Sequence, residues 1–204
     1  MDEIILVQHC QSEHHINELS GGWTDTPLTE LGRAQAKKVG QRLKNEINAS
    51  EFKLFTSDLL RALQTAEIIS NCLGLPILVN TNFRERNFGI GSGKTKEWFK
   101  QHFLPIPDRG RLDHKPIEGA ETLREFYHRI NAGMTEVERL KLSKIILVTH
   151  GGVIPMLILW WLNLPLEVLE NSGFESRVAG ITKLQVNFDY RRILSILSDV
   201  SHLQ

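Results

Sequence analysis

Two stretches of the chain share one pattern, an unbroken aliphatic run that stops at a histidine. Ile4-Ile5-Leu6-Val7 leads through Gln8 to His9 and Cys10, and Ile145-Ile146-Leu147-Val148 leads through Thr149 to His150-Gly151-Gly152. Runs of this kind predict strands buried on both faces, as in the centre of a parallel sheet. In open α/β sheets ligands bind beyond the carboxyl ends of the strands. If these two strands are neighbours, His9 and His150 meet at one sheet edge.

The rest of the pattern alternates helix and strand. After a polar loop, Gln11 to Asp25, Thr29 is a suitable N-cap for a helix reaching about Asn48, with Glu30 in its first turn. Leu31, Ala34, Val39, Leu43 and Ile47 are its expected inner face. Phe52 to Thr56 reads as a strand, and Ser57-Asp58 as the cap of a helix from Leu59 to Leu73, ended by Gly74 and Pro76. Leu75 to Val79 is a third strand. A helix from Glu121 to about Lys141 precedes the second histidine strand, and an apolar helix carrying Trp160 and Trp161 as core residues follows it. Gly180–Asp189 and Arg192–Val200 alternate like paired strands around Asp189-Tyr190-Arg191. The fold expected is a three-layer α/β/α sandwich around a mostly parallel sheet.

Between Asn80 and Gly119 the periodicity fails, with one helix expected at Lys94–Phe103. A loop region of this size inside a compact domain is usually a lid or specificity wall. The chain is therefore read as a single domain, 1–204, whose loop-rich insertion at about 89–119 forms part of a pocket.

Composition narrows the function classes. With 24 basic and 24 acidic residues the net charge is +0, so no global field recruits nucleic acid or anionic membrane. Val153 to Leu164 is too short to span a bilayer and contains Pro155. Met-Asp-Glu running straight into a strand predicts no secretory signal. Two cysteines, Cys10 and Cys72, form no disulfide framework. A cytoplasmic protein is expected.

The residue types at the strand ends suit phosphoryl transfer. A neutral histidine is a nucleophile when one ring nitrogen is bare and the other donates to a carbonyl, which fits His9. His150 is placed to donate to phosphoryl oxygens, and Gly151-Gly152 to bring backbone N–H groups and a helix N-terminus to the anion. Arg61, just after the Ser57-Asp58 cap, has a guanidinium fork for phosphate. Glu85 in Phe83-Arg84-Glu85-Arg86 is the candidate acid. Two rival chemistries fail. A tyrosine-phosphatase signature beginning at Cys10 would need Arg where Ile16 stands. The cluster of His9, Cys10, His14 and His15 matches no zinc-ligand spacing, so no metal is expected. The basic residues Arg109, Arg111 and Lys115 read as a solvated loop, as do His102, His114, His128 and His202, while Cys72 reads as helix core.

Six motifs in order resemble the histidine phosphatase superfamily, in the branch that includes the cofactor-dependent phosphoglycerate mutases. They are Gln8-His9-Cys10-Gln11-Ser12-Glu13; Asp25-Thr26-Pro27-Leu28-Thr29; Ser57-Asp58-Leu59-Leu60-Arg61-Ala62; Arg84-Glu85 with Phe88-Gly89; Glu118-Gly119-Ala120-Glu121-Thr122; and Thr149-His150-Gly151-Gly152. The resemblance implies a phosphatase hydrolysing a small phosphomonoester through phosphohistidine on His9. It makes Arg61 and His150 phosphate ligands and Glu85 the proton donor, with Gln8, Ser12, His15 and Gly151 also at the phosphate. No cofactor is implied. The short segment between Glu85 and His150 favours a phosphatase over a mutase, and an exposed edge strand would serve a homodimer.

The start motif departs from the family's Arg-His-Gly, and His15 stands where the family has Asn. Gln8 lacks the charge and the fork of an arginine. Losing one such donor costs roughly 10²–10³-fold in rate. Compensation by His14, His15 or Arg86, restoring positive charge, fits an active enzyme. A silent relative that binds a phosphorylated ligand or partner is the alternative.

Overall fold

The computed structural model describes residues 1–204. Six strands form one sheet: β1 (Glu3–Gln8), β2 (Phe52–Thr56), β3 (Ile77–Val79), β4 (Lys144–Thr149), β5 (Ile181–Val186) and β6 (Arg192–Asp199). Their spatial order is β3-β2-β4-β1-β5-β6. The first four are parallel, and β5 and β6 continue the sheet antiparallel. Successive side chains of a strand point to opposite faces, and both faces of β1 are covered. Ile4 and Leu6 join the core beneath α5 (Leu123–Arg139) and α6 (Val153–Leu162). Ile5 and Val7 join the core beneath α2 (Glu30–Glu46) and α3 (Leu60–Leu73). The three-layer sandwich is therefore the direct consequence of aliphatic runs that are buried on both faces of the central strands.

The two histidine strands are neighbours. β1 and β4 run in register from Glu3 opposite Lys144 to Gln8 opposite Thr149, and the His9 N–H donates to the Thr149 carbonyl at 2.8 Å. Both histidines leave the sheet at one carboxyl edge. The loop that follows β1 holds the short helix α1 (Glu13–Ile16).

Several local readings are corrected. Leu31 and Ala34 on α2 are exposed, and the inner face is Gly32, Ala36, Val39, Gly40 and Leu43. Gly32 makes this possible, because a Cβ there would lie 1.9 Å from the Gln11 carbonyl oxygen. The helix start is thereby laid directly against the loop that carries His9. Ser57 and Asp58 do not cap α3. Its N-cap is Leu59, and the Leu60 N–H is satisfied at 2.7 Å by the carboxylate of Asp25, 35 residues away. The third strand is shorter than expected, covering Ile77–Val79 only. The 89–119 segment contains two single turns of 3₁₀ helix and α4 (Lys96–His102). Trp161 is core, with its indole N–H on the Ile193 carbonyl at 3.1 Å, whereas Trp160 is half-buried. Cys72 packs between α3 and α2, half-buried. His102 and His128 are exposed, but His114 and His202 are half-buried.

Candidate active site

His9 is buried and its ring is locked. Nδ1 lies 2.9 Å from the Cys10 carbonyl, which accepts only if Nδ1 carries the proton, so Nε2 presents a lone pair. Burial and then the Arg61 charge hold the imidazole well below its ordinary pKa, so it is neutral at physiological pH. Cys10 is no competitor. Burial pushes its thiol up to about 12, and its backbone N–H is held by the Thr65 hydroxyl at 3.1 Å.

Arg61 reaches His9 from the first turn of α3. Its Nε donates to His9 Nε2 at 3.0 Å, Nη1 to the Thr24 carbonyl at 2.6 Å and Nη2 to the Gly22 carbonyl at 2.8 Å. Three of five N–H groups are used, which leaves two for an anion. No carboxylate pairs with the guanidinium directly. Burial draws it down only to about 10, so it remains charged at neutral pH.

The Glu85 carboxylate sits at the start of α6. Oε1 accepts from the Arg86 N–H at 2.8 Å and Oε2 from the Gly152 N–H at 2.9 Å. A Cβ at position 152 would lie 2.3 Å from Oε1, so glycine is what lets the carboxylate dock there. The expectation that the Gly152 N–H greets a phosphate is corrected, since Glu85 occupies it. The backbone under Glu85 is clamped. Arg129 donates to the carbonyls of Asn82, Arg84 and Glu85 at 2.6, 3.0 and 3.0 Å. Trp23 donates its indole N–H to the Glu85 carbonyl at 2.7 Å. Glu121 in turn holds Arg129 at 2.7 and 2.8 Å.

His150 lies beside His9, ring centroids 5.2 Å apart, and is fully buried. Its Nε2 is 2.7 Å from the Ser57 hydroxyl. Its Nδ1 is buried without a partner. Here Ser57 finds its role, as an anchor for this ring and not as a helix cap.

His15 stacks on His9 with centroids 5.6 Å apart and accepts the Ser12 N–H on Nδ1 at 3.0 Å. Its other nitrogen therefore carries the proton and is a donor. Burial, helped by the charges of His15, Arg61 and Lys96, pushes His14 down to about 3. Burial and the charges of Arg61 and Lys96 also lower His15. Both rings are neutral at physiological pH, which corrects the idea that they replace a missing positive charge. Ser12 is corrected as well. It is fully buried, and its hydroxyl lies 2.8 Å from His14 Nδ1.

Gln8, His9, His15, Arg61, Glu85 and Gly151 all line one cavity of about 460 Å³. Ser12 and His150 are not on its wall. Gln8 Oε1 accepts from the Ser176 hydroxyl at 2.6 Å, which ties β1 to the loop before β5. Arg86 and Arg111 also line the cavity, so Arg111 is not merely part of a solvated loop. Arg109 is exposed, and Lys115 pairs with Glu125 at 3.1 Å. The supporting residues Trp23, Arg129 and Ser176 carry no motif that singles them out; each acts on a partner distant in the chain.

The chain as a whole has counterparts among known proteins. The family model of the histidine phosphatase superfamily (branch 1) matches residues 4–198. The uncharacterized phosphatase PhoE of Bacillus subtilis strain 168 is 31% identical over 160 residues, 78% of this chain and 76% of that protein. Phosphoglycerate mutase-like protein 4 of Arabidopsis thaliana is 31% identical over 157 residues, 74% of this chain and 67% of that protein. Among solved structures, Bacillus stearothermophilus YhfR superposes with a TM-score of 0.79 at 27% identity, covering 99% of both chains. The match runs through the strands that deliver His9 and His150, the helix of Arg61 and the turn of Glu85, so the chain belongs to the histidine phosphatase superfamily.

Proposed function

We propose that this chain is a phosphatase that hydrolyses a small phosphomonoester, with His9 as nucleophile. The observation that carries the reading is the His9 ring itself, neutral, fixed by Cys10 at Nδ1, and offering Nε2 beside the Arg61 guanidinium. Phosphatase-named and mutase-named relatives both support the class.

In the first half-reaction the Nε2 lone pair attacks phosphorus. The ester P–O bond breaks, its electron pair goes to the alcohol oxygen, and Glu85, entering this step as the carboxylic acid, delivers its proton and becomes the carboxylate. In the second, water attacks the phosphohistidine, Glu85 takes the water proton, and the P–N bond electrons return to Nε2. Arg61 turns its two unused N–H groups to the phosphoryl oxygens. Gln8, His15 and the wall at Gly151 complete the cradle with neutral donors. His150 lies behind this wall against the His9 ring, and burying its unpartnered Nδ1 costs roughly 1–3 kcal/mol.

The chain works as one domain, with the 89–119 segment as a wall of the pocket through Arg111. No helix is long and apolar enough to cross a membrane; a cytoplasmic setting, and independence from nucleic acid, extend this reading. A homodimer would use an edge strand such as β3, where Leu78 and Val79 are exposed.

p-Nitrophenyl phosphate hydrolysis by the native chain and by His9→Ala tests the assignment. Turnover that disappears in His9→Ala supports it. Turnover that survives the substitution, or binding of phosphate with no turnover in the native chain, contradicts it.

A further inference from the structure

Beyond the phosphate cradle the cavity wall changes character. Phe88, Leu123, Phe126, Met156, Leu169 and Phe174 face the same space as His9 and Arg61. They come from four separate places: the turn after Glu85, the first turn of α5, the first turn of α6 and the loop from 166 to 174. Phe126, Met156 and Leu169 belong to the core beneath α5 and α6, and Leu123 and Phe174 pack against it. Phe88, Leu123 and Phe174 are only half-buried. The core thus opens into the cavity as a concave apolar surface, which water covers poorly and an apolar ligand covers well.

Two cations outside the cradle, Arg86 and Arg111, also line this wall. Arg86 commits its Nε to the Glu121 carbonyl at 2.8 Å and lays its guanidinium over Phe88 at 5.8 Å. Arg111 is exposed on the 3₁₀ turn Arg111–Asp113. A volume of about 460 Å³ is larger than a phosphoryl group needs and lies within the range of small-molecule sites, roughly 300–1,000 Å³.

We infer that the substrate is the phosphomonoester of an apolar alcohol, aromatic or branched aliphatic. The alcohol body is held by the Phe88, Phe126, Leu169 and Phe174 side chains while its phosphate sits at His9. This rests on the phosphatase reading above.

The test compares benzyl phosphate and hexyl phosphate with glycerol 3-phosphate and 3-phosphoglycerate, following released phosphate from the full chain. All four leave as alkyl alcohols, so differences report binding of the body and not leaving-group chemistry. The expected result is a kcat/KM at least about tenfold higher for the apolar pair, carried mainly by KM, as one or two methylenes suffice for such discrimination. In Phe174→Ala, checked for a native thermal transition, the ratio between the two pairs shrinks. Equal or faster hydrolysis of the polar pair overturns the inference, as does an unchanged ratio in Phe174→Ala. Binding of benzylphosphonate and methylphosphonate to the native chain separates the two readings. If no ester is hydrolysed but benzylphosphonate binds more tightly, the catalytic reading falls and the apolar site stands. If the two bind equally, the apolar site falls.

Discussion

Arg61 Nε points at His9 Nε2 from 3.0 Å, the one ring nitrogen that must attack phosphorus. In the resting site the arginine thus occupies the nucleophile's lone pair, and its remaining N–H groups wait for the phosphoryl oxygens. The contact needs the flat, forked guanidinium, because Nη1 and Nη2 are simultaneously held by the carbonyls of Thr24 and Gly22. A lysine has three donors on one nitrogen, which cannot span the positions of Nε, Nη1 and Nη2 and leaves no N–H for phosphate. Arg61→Lys is therefore expected to lower kcat/KM for p-nitrophenyl phosphate by roughly 10²–10³-fold, with the fold retained by circular dichroism. A loss smaller than tenfold would remove Arg61 from the cradle.

The clamp under Glu85 has its own signature. Arg129 holds three carbonyls of the turn that carries the acid, so Arg129→Lys should loosen where the proton is delivered. Poor leaving groups depend on that proton and p-nitrophenolate does not. The expected outcome is a much larger loss with an alkyl phosphate than with p-nitrophenyl phosphate, the same split as Glu85→Gln. Equal losses on both substrates would make Arg129 a purely structural residue.

At Gln8 the missing charge and a new tether coincide. Its carbonyl oxygen takes the Ser176 hydroxyl at 2.6 Å, and the neighbouring His14 and His15 are neutral. Among the cradle residues the positive charge is left to Arg61 alone. Gln8→Arg should raise kcat/KM, by an amount bounded by the roughly 10²–10³-fold assigned to one charged donor. Gln8→Leu should lower it. An arginine that brings no gain would show that the tether to Ser176, and not charge, is what position 8 contributes.

The histidine cluster predicts acid sensitivity. His9, His14, His15 and His150 all have pKa values lowered in the folded chain, His14 to about 3, with burial the leading cause. Once the pH falls below the ordinary histidine value, near 6.5, the unfolded chain binds more protons than the folded one. Stability is then fully present above that value and is lost as pH falls towards the folded values. Thermal melts between pH 7.5 and 4.5 should show a falling Tm, and His14→Asn should flatten the fall. A Tm independent of pH across this window would contradict the burial of neutral rings.

What was legible beforehand follows from the range of each interaction. The strands β1 and β4 announced themselves because each carries four consecutive aliphatic residues, and adjacent burial on both faces leaves few other arrangements. The site residues His9, Arg61, Glu85 and His150 stood at element ends, where the fold aims side chains at ligands. The misreadings share a cause. Ser57 looked like a helix cap because caps are local, yet its hydroxyl goes to His150 across 93 residues. Gly152 looked like an anion site because its contact with Glu85 spans 67 residues. Leu31 looked like core because nothing in α2 shows that Gly32, against the Gln11 carbonyl, sets the helix rotation. The apolar wall was not legible at all, since its six side chains come together only in three dimensions.

In the proposed reaction the phosphoryl group passes through His9. Incubating the native chain with a ³²P-labelled monoester and quenching in alkali, which preserves phosphohistidine, tests it directly. The expected result is a base-stable, acid-labile label on the peptide containing His9, absent from His9→Ala and accumulating in Glu85→Gln when dephosphorylation is slowed. Steady turnover with no label on that peptide in either the native chain or Glu85→Gln would contradict it.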